Sequence, residues 1–172
     1  MEELNRPDVE TFKASDKLPV VVVMDNIRSM HNVGSTFRTA DAFAITGIAL
    51  CGITAQPPHR EIHKTALGAT ESVDWKHYET TQAACEALRA EGYVIMAIEQ
   101  VENSISLQDY KPAKNQKVAI VLGNEVFGVE EEIVALADGC LEIPQFGTKH
   151  SLNVSVTAGI VLWDLVTKMK LA

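Results

Sequence analysis

No apolar run in this sequence approaches the ~20 residues that a membrane-crossing helix needs. The longest, Leu18 to Met24, has the length of a strand. The three cysteines, Cys51, Cys85 and Cys140, are far apart and form no CxxC. That argues against a disulfide framework and for reduced, buried thiols. No GxGxxG follows the first apolar run, and no loop ends in Gly-Lys-Ser/Thr, so neither a standard dinucleotide site nor a Walker A cradle is expected. His59 and His63 are four apart, but Arg60 stands where a zinc-protease helix would carry glutamate. They read as helix surface, and no metal site is expected. The start Met1-Glu2-Glu3 is wrong for a secretory signal, so the expected compartment is the cytoplasm. Base is scarce too: Lys and Arg number 15 against 23 Asp and Glu, a net charge of −8. This excludes a nonspecific polycationic binder of nucleic acid, but not a local basic patch on an acidic body.

What is present suits one globular domain. The 172 residues are 47% hydrophobic, enough for a real core. Residues 1–16 are polar and read as a peripheral N-terminal segment; residues 17–172 read as a single domain. Strand and helix patterns then alternate. The β-branched run 18–24 suits a buried parallel strand. Residues 34–44 have Phe37, Ala40 and Phe43 at helical spacing. Short strands are expected at 47–52, 93–99, 117–123 and 141–144. Helices are expected at 59–69, at 81–92 with Gly92 as its stop, and at 130–138, which opens on three acids. A long final helix runs from Asn153 to Lys170. Its apolar Val161, Leu162, Leu165 and Val166 suit either a core or a dimer face. Trp75 and Trp163 read as core or interface anchors. The alternation predicts an α/β fold with a mostly parallel sheet flanked by helices. Ligands of such sheets bind at the carboxyl ends of strands, so the informative loops follow Met24, Gly123 and Ile143.

Those loops are unusual. Between Ile27 and Thr39 there is no carboxylate, yet there are Arg28, His31 and Arg38, as if the segment were kept free for an anion. The second loop, Leu122 to Val129, has glycines bracketing Asn124 and Glu125; alone it reads as a turn with a solvent-facing acid. In the third, Ile143 to Ser155, Ser151 could cap the final helix, but capping does not explain Lys149, His150 and Asn153 beside it.

Three runs, Asn32-Val33-Gly34-Ser35-Thr36-Phe37-Arg38, Gly123-Asn124-Glu125 and Ile143-Pro144 through Ser151-Leu152-Asn153, together resemble the three motifs of SpoU/TrmH-type RNA 2′-O-ribose methyltransferases of the SPOUT superfamily. The resemblance covers Leu18 to Lys170. It implies an α/β fold whose C-terminal part forms a trefoil knot, an exception to the rule against knots. It implies S-adenosylmethionine held largely by backbone, at Gly123, Ile143 and Leu152 with Leu122 and Gln145 nearby. It implies active-site roles for Asn32, Arg38, Glu125, Ser151 and Asn153, and a homodimer whose sites draw on both subunits. A ribose 2′-hydroxyl would displace the methyl, with Arg38 binding the neighbouring phosphate and stabilising the alkoxide, since arginine holds its proton too tightly to be a simple base. Glu125 would fix the Asn–Arg geometry. RNA would meet Arg28, His31, Arg38, Lys64, Lys149 and His150. The expected substrate is tRNA, with the D-loop guanosine one option, or rRNA.

Two other readings stay open at this point: a knotted RNA base methyltransferase, and a non-catalytic RNA-binding assembly factor. The Asn/Arg first motif and Ser-Leu-Asn third motif favour ribose. The filled active-site positions favour an enzyme, whereas the acidity of the chain favours the assembly factor.

Overall fold

The computed structural model describes residues 7–149 and 151–171. Its centre is a seven-stranded sheet in which every pairing is parallel. In chain order the strands are β1 (Leu18–Asp25), β2 (Ile45–Cys51), β3 (Trp75–Tyr78), β4 (Tyr93–Ile98), β5 (Ile105–Ser106), β6 (Lys117–Leu122) and β7 (Gly139–Glu142). Across the sheet they run β3-β2-β1-β6-β4-β7-β5. Apart from Asp25 at the end of β1 and Lys117 at the start of β6, the central strands β1, β6 and β4 are apolar because both faces are covered. Val20, Val22 and Met24 of β1 enter one core, and Val21 and Val23 enter the other.

The first core is closed by α2 (Met30–Ala42), α3 (Arg60–Ala66), α4 (Ala69–Ser72) and α7 (Val154–Val166). The second is closed by α5 (Thr81–Ala90) and α6 (Glu131–Leu136). The remaining helix, α1 (Val9–Ala14), buries none of its residues. Cys51, Cys85 and Cys140 are buried free thiols. Burial pushes Cys51 up to about 12 and Cys85 to about 11, which makes both poor nucleophiles.

Five strands were expected and seven are found. The additional β3 and β5 are short edge strands of four and two residues, too brief to carry a periodic signal. Trp75 is half-buried on β3, whereas Trp163 is 53% exposed, its ring centroid 6.0 Å from that of Phe43. The predicted helix 59–69 is two helices, parted at Leu67 and Gly68, both in the left-handed region. The final helix ends at Val166 and widens into a π-type turn over Thr167–Leu171. Its residues Val161, Leu162, Leu165 and Val166 are core, so they are not available as a dimer face. The exposed apolar residues of α7 are Val156, Ile160 and Trp163, one helical stripe.

The first motif lies inside a helix. Ser29 caps α2 by accepting from the Asn32 amide, so the helix begins four residues before Gly34. Gly34 is where α2 crosses α3. A Cβ there would sit 2.2 Å from both the Ile62 carbonyl oxygen and Thr65 Oγ1. Gly34→Ala, a change that stabilises most helix interiors, is therefore expected to cost about 1–3 kcal/mol through overpacking. Urea unfolding of parent and variant measures it, and an unchanged or raised midpoint would show that the crossing is not close.

Candidate active site

The carboxyl ends of β4, β6 and β7 open into a cavity of about 440 Å³. The loop after β6 forms one wall, and its conformation follows from its own residues. The side-chain oxygen of Asn124 accepts from the amides of Val126 and Phe127, at 2.9 and 3.2 Å. The Asn124 and Gly128 backbones bond reciprocally at 2.9 Å. Gly128 has φ +73°, and a Cβ on it would strike the Glu99 carboxylate, whose Oε2 accepts from the Val129 amide at 3.0 Å. Asn124 Nδ2 also donates to the Asn26 carbonyl at 2.6 Å, which ties the turn to the end of β1.

Glu125 does not face solvent as a plain turn residue would. Its Oε2 accepts from the Arg28 amide at 2.9 Å, and its Oε1 from the Ser29 amide at 2.9 Å and from Asn32 Nδ2 at 3.1 Å. These amides lead into the N-terminus of α2, where a negative charge is favoured. Partial burial pulls the carboxyl pKa upward, but the hydrogen bonds from Arg28, Ser29, its own amide and Asn32 prevail and hold it below the ordinary glutamate range.

Asn32 is buried and joins the other two motifs. While its amide group donates to Glu125, its Oδ1 accepts from Asn153 Nδ2 at 3.2 Å. Asn153, not Ser151, caps α7: its Oδ1 accepts from the amides of Ser155 and Val156. Asn153, Asn32 and Glu125 thus form one hydrogen-bonded chain from residues 32, 125 and 153. The cap lies two residues later than the Ser151 expected from sequence, because both Ser and Asn suit that role.

The cavity lining includes all five positions expected to contact the cofactor, Leu122, Gly123, Ile143, Gln145 and Leu152, and also Glu125 and Ser151. Gly123 serves the loop before any ligand: a Cβ there would lie 2.1–2.5 Å from the backbone of Gly128 and Val129. The lining also carries the carboxylates of Glu99 and Glu142, and no Lys or Arg among the described residues. Glu99 had no sequence signal beyond its place as the last residue of a predicted strand. Among the described residues, no group of three or more His, Cys, Asp or Glu is arranged to hold a metal.

Arg38 is not brought to this cluster within one chain. It is exposed on α2, six residues after Asn32, hence about 120° around the helix from it. Glu125 spends its oxygens on backbone amides and Asn32 rather than on the Arg38 guanidinium, and no ion pair of Arg38 is found among the described residues. Its sequence neighbour Asp41 accepts instead from Ser72. The acid-free segment is also acid-free in sequence only. Glu61 of α3 binds His31 at 3.0 Å and Lys64 at 2.7 Å. Arg28 and Lys149 are exposed and unpaired among the described residues, while His150 lies outside them.

The depressed pKa of Glu125 fixes the sign of a pH effect. A carboxylate lowered on folding stabilises above its unfolded pKa of about 4.3, and the contribution fades as pH falls through the folded value. Glu125→Gln is expected to destabilise the protein at pH 7, with the difference from the parent closing below about pH 4. Thermal melts from pH 7 to 3 measure it, and a pH-independent difference would refute the charge-based account.

The same chain can be compared with known proteins. The model of the SpoU rRNA Methylase family matches residues 19–163. The tRNA (guanosine(18)-2′-O)-methyltransferase of Thermus thermophilus is 28% identical over 94% of this chain and 81% of its own length. A 23S rRNA (guanosine-2′-O-)-methyltransferase of Vibrio parahaemolyticus is 28% identical over 95% of this chain and 65% of its own. The S-adenosylmethionine-bound crystal structure of an rRNA methyltransferase from Sinorhizobium meliloti superposes with a TM-score of 0.80 at 27% identity, over 90% of this chain and 59% of that one. This chain therefore spans about two thirds or less of the Vibrio and Sinorhizobium proteins. With the parallel sheet, the three motif loops meeting at one cavity and a family match over most of its length, the chain belongs to the SpoU rRNA Methylase family.

Proposed function

We propose that this chain is an S-adenosylmethionine-dependent RNA ribose 2′-O-methyltransferase that acts on tRNA, with rRNA as the other candidate substrate. The supporting observation is the cavity at the strand ends, with the Glu125–Asn32–Asn153 chain at its edge. Its volume of about 440 Å³ suits a small ligand. Leu122, Ile143 and Leu152 offer apolar wall, and Gly123 lines the cavity between them. The carboxylates of Glu99, Glu125 and Glu142 favour a ligand bearing positive charge, as a sulfonium does. Bound there, S-adenosylmethionine supplies an electrophilic methyl group.

The chain's own residues then have distinct work. Asn32 and Glu125 hold the end of the first motif against the cofactor loops. Ser151 and Asn153 order the third loop and the incoming ribose. Arg28 and Lys149, exposed and without an ion pair among the described residues, are the cations for RNA phosphate. His31 and Lys64 contribute less, because both are already bonded to the Glu61 carboxylate. Residues 17–172 constitute the methyltransferase domain, whose C-terminal part is threaded as a trefoil knot.

Arg38 acts from the neighbouring subunit of a homodimer. The exposed stripe Val156, Ile160 and Trp163 of α7 is the apolar face such a dimer would cover, and α2, which carries Arg38, packs against α7. Arg38 binds the phosphate beside the target ribose and stabilises the developing alkoxide of the partner's site.

Calorimetry on metal-stripped protein is expected to show S-adenosylmethionine binding, and Leu152→Trp should abolish it while leaving the melting temperature within a few degrees, since Leu152 is 38% exposed at the cavity. Parent-like affinity in that variant would remove the cofactor from this cavity. Arg38→Ala is expected to cut methyl transfer about a hundredfold with cofactor affinity intact, and Arg38→Lys to recover little of it. When Arg38→Ala and Leu152→Trp proteins are refolded together, hybrid dimers should restore about a quarter of the parent rate, one sound site in half of the molecules. Absence of recovery, or near-normal transfer by Arg38→Ala alone, would eliminate the shared site.

A further inference from the structure

Two aromatic rings stand in solvent beside the cavity. Phe127 is 83% exposed at the tip of the Asn124–Gly128 turn and belongs to the cavity lining. Phe146 is 97% exposed, immediately after Gln145 of the lining on the opposite loop. Neither ring is needed to shape its loop's neighbourhood. The turn is closed by the Asn124 side chain and the Asn124–Gly128 backbone pair, and nothing of Phe146 is buried against the core. A large apolar side chain left in water at a functional cavity marks a surface awaiting a partner.

The charge distribution says which partner. The net charge is −8, the cavity carries three carboxylates, and two of the residues expected to meet RNA, His31 and Lys64, are held by Glu61. Affinity from phosphate neutralisation is correspondingly limited. A contact to RNA that needs no charge is base stacking on an aromatic face, which is available only to bases that are unpaired or extruded from a helix.

We infer that Phe127 and Phe146 are stacking platforms for unpaired bases flanking the methylated ribose, so that the acceptor is a single-stranded loop rather than a duplex. This rests on the methyltransferase reading above. The two rings grip the substrate from opposite loops of the cavity, and they supply the RNA affinity that the acidic surface cannot.

The test measures tritiated methyl transfer from S-adenosylmethionine to unmodified tRNA and rRNA transcripts, on whichever the parent modifies. RNA KM and kcat are determined at about 50 and 200 mM salt for the parent, Phe127→Ala, Phe146→Ala and the corresponding Trp variants. Each alanine should raise RNA KM about tenfold without changing its salt dependence, and tryptophan should restore it. Lys149→Ala should instead flatten the salt dependence. Annealing a complementary strand over the modified loop should suppress transfer. Phe146→Ala should keep the parent's S-adenosylmethionine affinity by calorimetry and its mass by light scattering. If both alanine variants keep the parent's RNA KM while methyl transfer proceeds, the stacking role is wrong and the enzyme assignment stands. If an alanine variant instead changes the molecular mass, the rings are subunit contacts and the inference fails. If the parent neither binds S-adenosylmethionine nor modifies any transcript, the underlying reading falls, and this one with it.

Discussion

The Glu125 carboxylate is the one group on which the arrangement of the site depends. It comes from the loop after β6, yet three of its hydrogen bonds go to the start of α2, which follows β1. A helix start has unpaired amides, and a partly buried carboxylate has unpaired lone pairs; here each answers the need of the other. Because Asn32 passes the connection on to Asn153, three loops that are distant in sequence acquire one relative position. Without that carboxylate, α2 would keep only the Asn32–Asn153 bond to the third loop and would lose all three hydrogen bonds that fasten it to the loop after β6.

The fold makes this junction possible by bringing the right strand ends together. β1 and β6 are neighbours, and their registers put Met24 beside Leu122, so the loops that leave them start side by side. β4 and β7 continue the same edge through Ile98 and Leu141. Two small constraints then fix the wall. Gly123 lets the strand end approach the Gly128–Val129 backbone, and Glu99 pins the far side of the turn by its hydrogen bond to Val129. The glycine that a ligand would find convenient is thus first a requirement of the loop's closure.

Much of this was legible in the sequence, and what was not has physical reasons. The long apolar strands and the amphipathic helix α5, with Gly92 just beyond its end at φ +89°, carry their own periodicity and stops. The edge strands β3 and β5 do not, because pairing with a neighbour defines them more than their composition does. The three motif loops announced themselves by residue type. Their partners did not: Glu125 could equally have faced solvent, and Glu61 lies outside every motif yet takes up His31 and Lys64. Pairing between helices has no local signature, so His31, in a stretch free of acid in sequence, meets Glu61 in space, while Arg28 and Arg38 of the same stretch make no ion pair among the described residues. The apolar final helix left two alternatives open in the sequence, and burial decides between them: Val161, Leu162, Leu165 and Val166 are core, and the exposed stripe is formed by Val156, Ile160 and Trp163.

Asn153 illustrates how closely the valences of one side chain can be allotted. Its oxygen satisfies the first amides of α7, and its nitrogen reaches Asn32. As helix caps alone, Asp, Ser and Thr would serve about as well. Aspartate, however, has no hydrogen to give Asn32, and a hydroxyl on a single carbon lacks the amide's span between its acceptor and its donor. The residue tolerance of this position is therefore narrower than helix stability requires, and the surplus restriction measures the second task. The capping of the last helix and the registration of the site thus share one side chain, so a change made for either task is felt by the other.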